Sequence, residues 1–243
     1  EELGIRFHPT RGSMSIGESN GGLPPDYLIE DEKNILKDSI RVIERWNDPN
    51  HNSMIRISLA PCSPFSVSKD LMVETAKLAR HYQVGLHTHL AENFEDVVYS
   101  KEIFGLTPGQ YIEELGWTGK DVWHAHCVKL TDNEINLFAK TKTGIAHCPC
   151  SNMRLGSGII PLNKMLNKGV DIGLGVDGSS SNDSGNLLNE ARQALYLQRV
   201  NNNKSNLNAR QALWLATAGG AKVLNRNDIG SLKLGNCADF ATV

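Results

Sequence analysis

Apolar positions along the chain fall into two alternating patterns. Short runs at 55–59 (IRISL), 84–89, 121–125, 144–147 and 170–176 are dominated by aliphatic residues and bounded by Gly, Pro or polar residues, the signature of buried strands. A further strand is expected at 4–7. Between these runs, 68–81, 107–115, 131–140 and 161–168 carry apolar residues at helical spacing. Helices are also expected from about 31 to 46, over 184–199 and over 208–219. Ser68 before Leu71 reads as an N-cap, Thr131 with Glu134 as a capping box, and Gly219-Gly220 as the stop of the last helix.

Strand–helix alternation with short connections implies parallel strands joined by right-handed crossovers. The closed form of such an α/β fold is a (β/α)8 barrel and the open form a doubly wound sheet. No G-x-G-x-x-G follows any strand, which disfavours a dinucleotide fold. Only six strand–helix units are visible, so a barrel would be incomplete. The Gly-rich stretch 12–25 resembles an active-site lid more than a domain boundary.

Composition narrows the partners. With 25 Lys+Arg against 27 Asp+Glu the formal charge is −2, which lacks the basic excess of a nucleic-acid-binding surface. No apolar run is long enough for a membrane span. The five cysteines (62, 127, 148, 150, 237) are odd in number and scattered, and no export signal is visible. Free thiols in a reducing cytoplasm fit this best. The first residue is Glu1 and the last residues read as the middle of a strand, so a fragment of a longer protein is expected.

The polar residues that least suit buried strands all lie at strand C-terminal ends: His87 and His89, His124 and His126, His147, and Asp177. In a parallel barrel these ends meet on the rim that carries catalytic residues. Some of the histidines could equally be hydrogen-bonded core residues. His87 and His89 share one strand face and could bind zinc, as could the neighbouring His and Asp. Asp177 closes an otherwise apolar strand and calls for a cation or several donors. Glu92, three residues past His89, could overhang a metal-bound water and shuttle protons, or simply sit at a helix N-terminus. His147-Cys148-Pro149-Cys150 lacks the second cysteine pair of a structural zinc site.

The motifs HTHLAE (87–92), AHCV (125–128), HCPCSN (147–152) and GVDGSSSNDSG (175–185), in this order, resemble the amidohydrolase superfamily, in the branch of the cytosine/guanine deaminases and triazine hydrolases. TRGSMS (10–15), GGLPPD (21–26) and LAPCSPFSVS (59–68) are most similar to members acting on 8-oxoguanine. The resemblance implies hydrolytic deamination of an aminopurine-type ring, 8-oxoguanine to urate plus ammonia, dependent on one divalent metal, zinc first and iron second. Guanine, isocytosine or a hydroxytriazine are alternatives within the branch, and a non-catalytic barrel fragment is the alternative outside it.

By the same resemblance His89 and Asp177 are metal ligands and Glu92 the acid/base toward the ring nitrogen. His126 holds the substrate, and Asp177 also accepts the water's proton. Cys62 and Ser181 fall at substrate-contacting positions. His87 and His124 would point inward below the site. The family's first-strand H-x-H pair is absent, so two further ligands are expected upstream of Glu1. Residues 1–228 would then be about strands 3–8 of the barrel and 229–243 the start of a return to a small β-sandwich. The expected partner is a small nucleobase, with neither nucleic acid nor membrane, and a homo-oligomer is left open.

Overall fold

A computed structural model describes residues 4–201 and 207–242. Six parallel strands follow one another in chain order, β1 to β6. The chain divides into two compact units, Glu1–His89 with Tyr111–Trp117, and Leu90–Gln110 with Thr118–Val243.

In the first unit β1 (Thr10–Ser13) pairs in parallel with β2 (Ser58–Pro61), Thr10 opposite Ser58 and Ser13 opposite Pro61. Ser58 and Leu59 in turn face Gly85 and Leu86 of β3 (Gly85–Leu90). Helix α1 (Glu32–Trp46) starts where the Asp31 carboxylate accepts the Asn34 N–H, and it buries Ile35 and Ile43. Helix α2 (Lys69–Tyr82) starts on the expected cap, the Ser68 hydroxyl accepting the Leu71 N–H, and buries Leu71, Met72, Ala76 and Ala79.

Two expectations shift here. Residues 4–7 make only a single bridge, Phe7 to Ile55, and leave Ile5 and Phe7 largely exposed. The strand lies instead in the polar segment TRGS, of which only Ser13 is buried. The run 55–59 likewise enters the ladder only at Ser58. The stretch 12–25 is tied down at its start. Its first two residues belong to β1, the amides of Ser15 and Ile16 donate to the Ser66 carbonyl, and the Glu30 amide donates to Met14. Arg11 reaches Glu30 and Asp38 at 2.8 Å each.

In the second unit the carbonyl of Leu90, the last residue of β3, accepts the Cys127 N–H at 3.0 Å. Strand β4 (Val122–His126) pairs with β5 (Gly144–His147), and β5 with β6 (Asp171–Leu174), all in parallel. Two helices absent from the periodicity appear. Helix α3 (Phe94–Phe104) buries only Ser100, so it has no apolar stripe to detect, and α6 (Pro149–Arg154) is six residues long. Pro108–Glu114 forms α4. Helix α5 (Asp132–Thr141) begins with the capping box of Thr131 and Glu134, and α7 spans Leu162–Lys168.

The Gly219-Gly220 stop is overturned. After α8 (Leu187–Asn201) and α9 (Ala209–Trp214), the chain passes through a π turn (Leu215–Gly219) into α10 (Gly220–Val223). These glycines serve close packing rather than termination. A Cβ on Gly173 of β6 would meet the Gly220 Cα at 2.7 Å, and one on Gly219 would meet the Ile172 carbonyl at 2.5 Å. Residues 229–242 contain no strand. No described helix is long and apolar enough to cross a membrane.

Candidate active site

Within the second unit three chain segments bring Glu92, His126 and Asp177 together. Each sits at a strand end or just beyond it, and the backbone there leaves the extended region: φ is +48° at Ala91, +68° at His126 and +64° at Asp177. Non-Gly residues adopt such angles at a cost, a frequent feature of functional sites. His126 is buried, and its Nε2 lies 3.7 Å from Oε2 of Glu92 and 3.8 Å from Oδ2 of Asp177. One imidazole nitrogen therefore stands between two carboxylates.

Each of the three groups is held by a second side chain from the segment 151–157, in and just after α6. Nδ1 of His126 lies 2.8 Å from Oδ1 of Asn152. Donation from Nδ1–H to that oxygen makes Nε2 the lone-pair nitrogen of the neutral ring. Oδ2 of Asp177 accepts the Ser151 hydroxyl at 2.5 Å and the Ser181 hydroxyl at 3.0 Å. Oε1 of Glu92 accepts the Ser157 hydroxyl at 3.1 Å, while the Glu92 amide donates to Asp96 at 2.8 Å.

The electrostatics follow from these partners. Burial by itself would raise the Asp177 carboxyl. The Ser151 hydroxyl, the Gly178 amide, His126 and the Ser181 hydroxyl outweigh it and hold the group below the usual carboxylate range. Burial has the larger say at Asp96, whose carboxyl is raised despite accepting backbone amides at Glu92 and Asn93. Burial depresses His147 to about 3, with a smaller push from His126. Neither ring nitrogen of His147 has a hydrogen-bond partner, so it is a neutral core residue rather than part of the rim chemistry.

The loop after Asp177 is tied down by a buried carboxylate that the sequence did not single out. Glu190 of α8 is fully buried and accepts the Asn182 amide at 2.8 Å and the Cys150 N–H at 3.0 Å. It joins the start of α6 to the turn that carries Ser181. Pattern reading had no signal for it, because one acid in an amphipathic helix looks like a solvated face.

In the first unit His89, next to last in β3, has its Nδ1 2.5 Å from the Cys62 carbonyl, which makes Nε2 its lone-pair nitrogen. Cys62, His87 and His89 line a cavity of about 380 Å³ together with Ser13, Glu30 and Pro61. His87 thus shares the cavity wall with His89. His124 is fully buried, its ring packed on Phe138 of α5 at 5.4 Å. Ser181 spends its hydroxyl on Asp177 and the Gly178 carbonyl.

Among the described residues, His89 of the first unit and His126 and Asp177 of the second each carry a donor atom for a metal ion. Two imidazoles and a carboxylate are donors that zinc accepts. The five cysteines are free thiols, and Cys148 and Cys150 form no such group. Burial raises the thiols of Cys148 and Cys150, the latter to about 12, which further removes them from ligand chemistry.

Parallel β/α alternation with histidines and carboxylates at the strand ends is the arrangement in which β/α-barrel enzymes carry their sites. The chain belongs to the amidohydrolase family, whose model matches residues 1–243. It is 46% identical over 99% of its length to an 8-oxoguanine deaminase of Pseudomonas aeruginosa, and 38% identical to a hydroxydechloroatrazine ethylaminohydrolase of Pseudomonas sp. strain ADP. It covers 54% and 50% of those proteins, so it spans about half the length of these curated relatives. A zinc complex of atrazine chlorohydrolase from Arthrobacter aurescens superposes with a TM-score of 0.94 at 37% identity, covering 98% of this chain and 53% of that one.

Proposed function

We propose that the enzyme containing this chain hydrolytically deaminates an aminopurine-type ring, with 8-oxoguanine the substrate and urate and ammonia the products. The observation that carries the reading is His126 Nε2 between the carboxylates of Glu92 and Asp177, at 3.7 and 3.8 Å. Ring deamination needs one group to take a proton from water and another to give one to the ring. The 46% identity to an 8-oxoguanine deaminase supports 8-oxoguanine over the other rings of the branch. The six strands fit strands 3–8 of a (β/α)8 barrel, with residues 229–243 beginning a return to a small β-sandwich.

His89 and Asp177 would hold one divalent ion, zinc in preference to iron, together with groups from outside these 243 residues. When bound, the ion lowers the pKa of a coordinated water and polarises the reacting centre. Asp177, kept ionised by its two hydroxyl donors, takes the proton of the attacking water. Glu92 gives a proton to the ring nitrogen next to the amino-bearing carbon. His126, oriented by Asn152, hydrogen-bonds the substrate. Cys62 would contact the substrate, and Ser181 would act at the site through Asp177. The proton taken by Asp177 passes to the amino group, which leaves as ammonia; the carbon keeps the water oxygen as a carbonyl, whose remaining proton restores Glu92.

The 38% identity to an ethylaminohydrolase supports a second reading, in which an alkylamine leaves instead. Metal-loaded full-length protein should release ammonia from 8-oxoguanine with a higher kcat/KM than from guanine, isocytosine or an aminohydroxytriazine. Ethylamine release from an ethylaminohydroxytriazine as the preferred reaction would replace the assignment. Absence of turnover on all these rings would sink it.

A further inference from the structure

We propose that Ser157 is a positioning residue for the carboxyl group of Glu92, fixing which of its two oxygens delivers the proton. The inference rests on the deaminase reading above and extends it to a residue with no assigned role. Ser157 is 2% exposed and lies in the turn after α6, its amide anchored on the Asn152 carbonyl at 2.9 Å. Its hydroxyl has one hydrogen-bond partner among the described residues, Oε1 of Glu92 at 3.1 Å.

That contact makes the two carboxylate oxygens inequivalent. Oε1 is occupied by Ser157, and Oε2 faces His126 Nε2 at 3.7 Å. The terminal torsion of a Glu side chain is broad and roughly two-fold, so nothing intrinsic keeps one oxygen forward. A serine hydroxyl donating to Oε1 does so, and it serves both protonation states. The ionised carboxylate accepts it, and so does the carbonyl-like Oε1 once the proton sits on Oε2. The proton is thereby kept on the oxygen that faces the reacting ring.

The backbone of Glu92 is fixed separately, through its amide to Asp96 at 2.8 Å. Ser157 therefore governs the carboxyl orientation and not the path of the chain. The same segment supplies Ser151 to Asp177 and Asn152 to His126. One short stretch of chain thus brackets all three reacting groups, each through one contact.

The test uses full-length metal-loaded protein and whichever ring it hydrolyses best. Ser157→Ala should lower kcat roughly 10- to 100-fold, the scale of a misplaced reacting group, with KM unchanged. Ser157→Thr, which keeps the hydroxyl, should restore most of kcat. If the alanine variant does not fold, Ser157→Cys, similar in volume and a weak donor, should show the same loss of kcat. Parent-like kcat in the Ala or Cys variant overturns the role, and so does an equal loss in the Thr variant or a rise in KM alone. A parent protein that turns over none of the rings refutes the deaminase reading and this role with it. Turnover by the parent with an unaffected Ser157→Ala variant refutes this role only.

Discussion

Oε2 of Glu92 lies 3.7 Å from Nε2 of His126, too far for a direct hydrogen bond, so both atoms are left to contact a group in front of them. Both side chains are oriented from behind, Glu92 by Ser157 and His126 by Asn152. The forward-facing atoms are therefore set before any ring arrives. Glu92→Gln keeps the shape and removes the proton. We expect kcat to fall about 10²- to 10⁴-fold, the usual worth of a general acid or base, with bound metal per chain unchanged by elemental analysis. Parent-like turnover would remove Glu92 from the mechanism.

Asp177 is expected to matter for the metal itself. Its Oδ2 collects two hydroxyl donors and its carboxyl is held below the ordinary range, so it is anionic at neutral pH. Asp177→Asn removes that charge. Metal content after dialysis against a weak chelator should drop well below the parent's, and turnover with it. Full retention of metal would show that Asp177 is not a ligand.

His147 should make stability fall at mildly acidic pH. Burial lowers its folded-state pKa to about 3 from an ordinary 6.5, so the unfolded chain binds the extra proton across that window. Stability then rises with pH between the two values and is lost as pH falls. Going from pH 7 to pH 5 should cost about 2 kcal/mol from this residue, the free energy of protonating the unfolded chain. His147→Leu, which removes two unpartnered nitrogens, should flatten that part of the urea-unfolding curve. An unchanged slope would show that the residue stays exposed to protons when folded.

Gly173→Ala tests the helix–sheet contact. The added methyl would sit 2.7 Å from the Gly220 Cα and 3.0 Å from its nitrogen, backbone atoms that cannot swing aside. Overpacking of this kind typically costs about 1–3 kcal/mol. Chemical denaturation should show that loss. Alanine at Gly12, whose nearest neighbour is the Ala60 carbonyl at 3.8 Å, should cost far less.

The sequence by itself determined the alternation of strands and helices and the caps at Ser68 and Thr131. It also placed His89, His126 and Asp177 at strand ends and Glu92 in the loop that follows one of them. Those features are local: a capping hydroxyl acts within three residues, and a polar residue ending an apolar run stands out in the run itself. It missed α3, which buries only Ser100, and misread the polar β1, because neither carries a periodic apolar face.

Tertiary structure decided which histidine faces the carboxylates. His124 and His126 are two residues apart on one strand, yet one packs on Phe138 and the other turns between two carboxylates. The positive φ at His126 breaks the strand's alternation at that point, and no spacing rule announces it. The partners Ser151, Asn152, Ser157 and Glu190 were equally illegible. Each acts on a group 26 to 65 residues away or, for Glu190, joins chain segments 40 residues apart. Such contacts exist only once the sheet has brought its strand ends together.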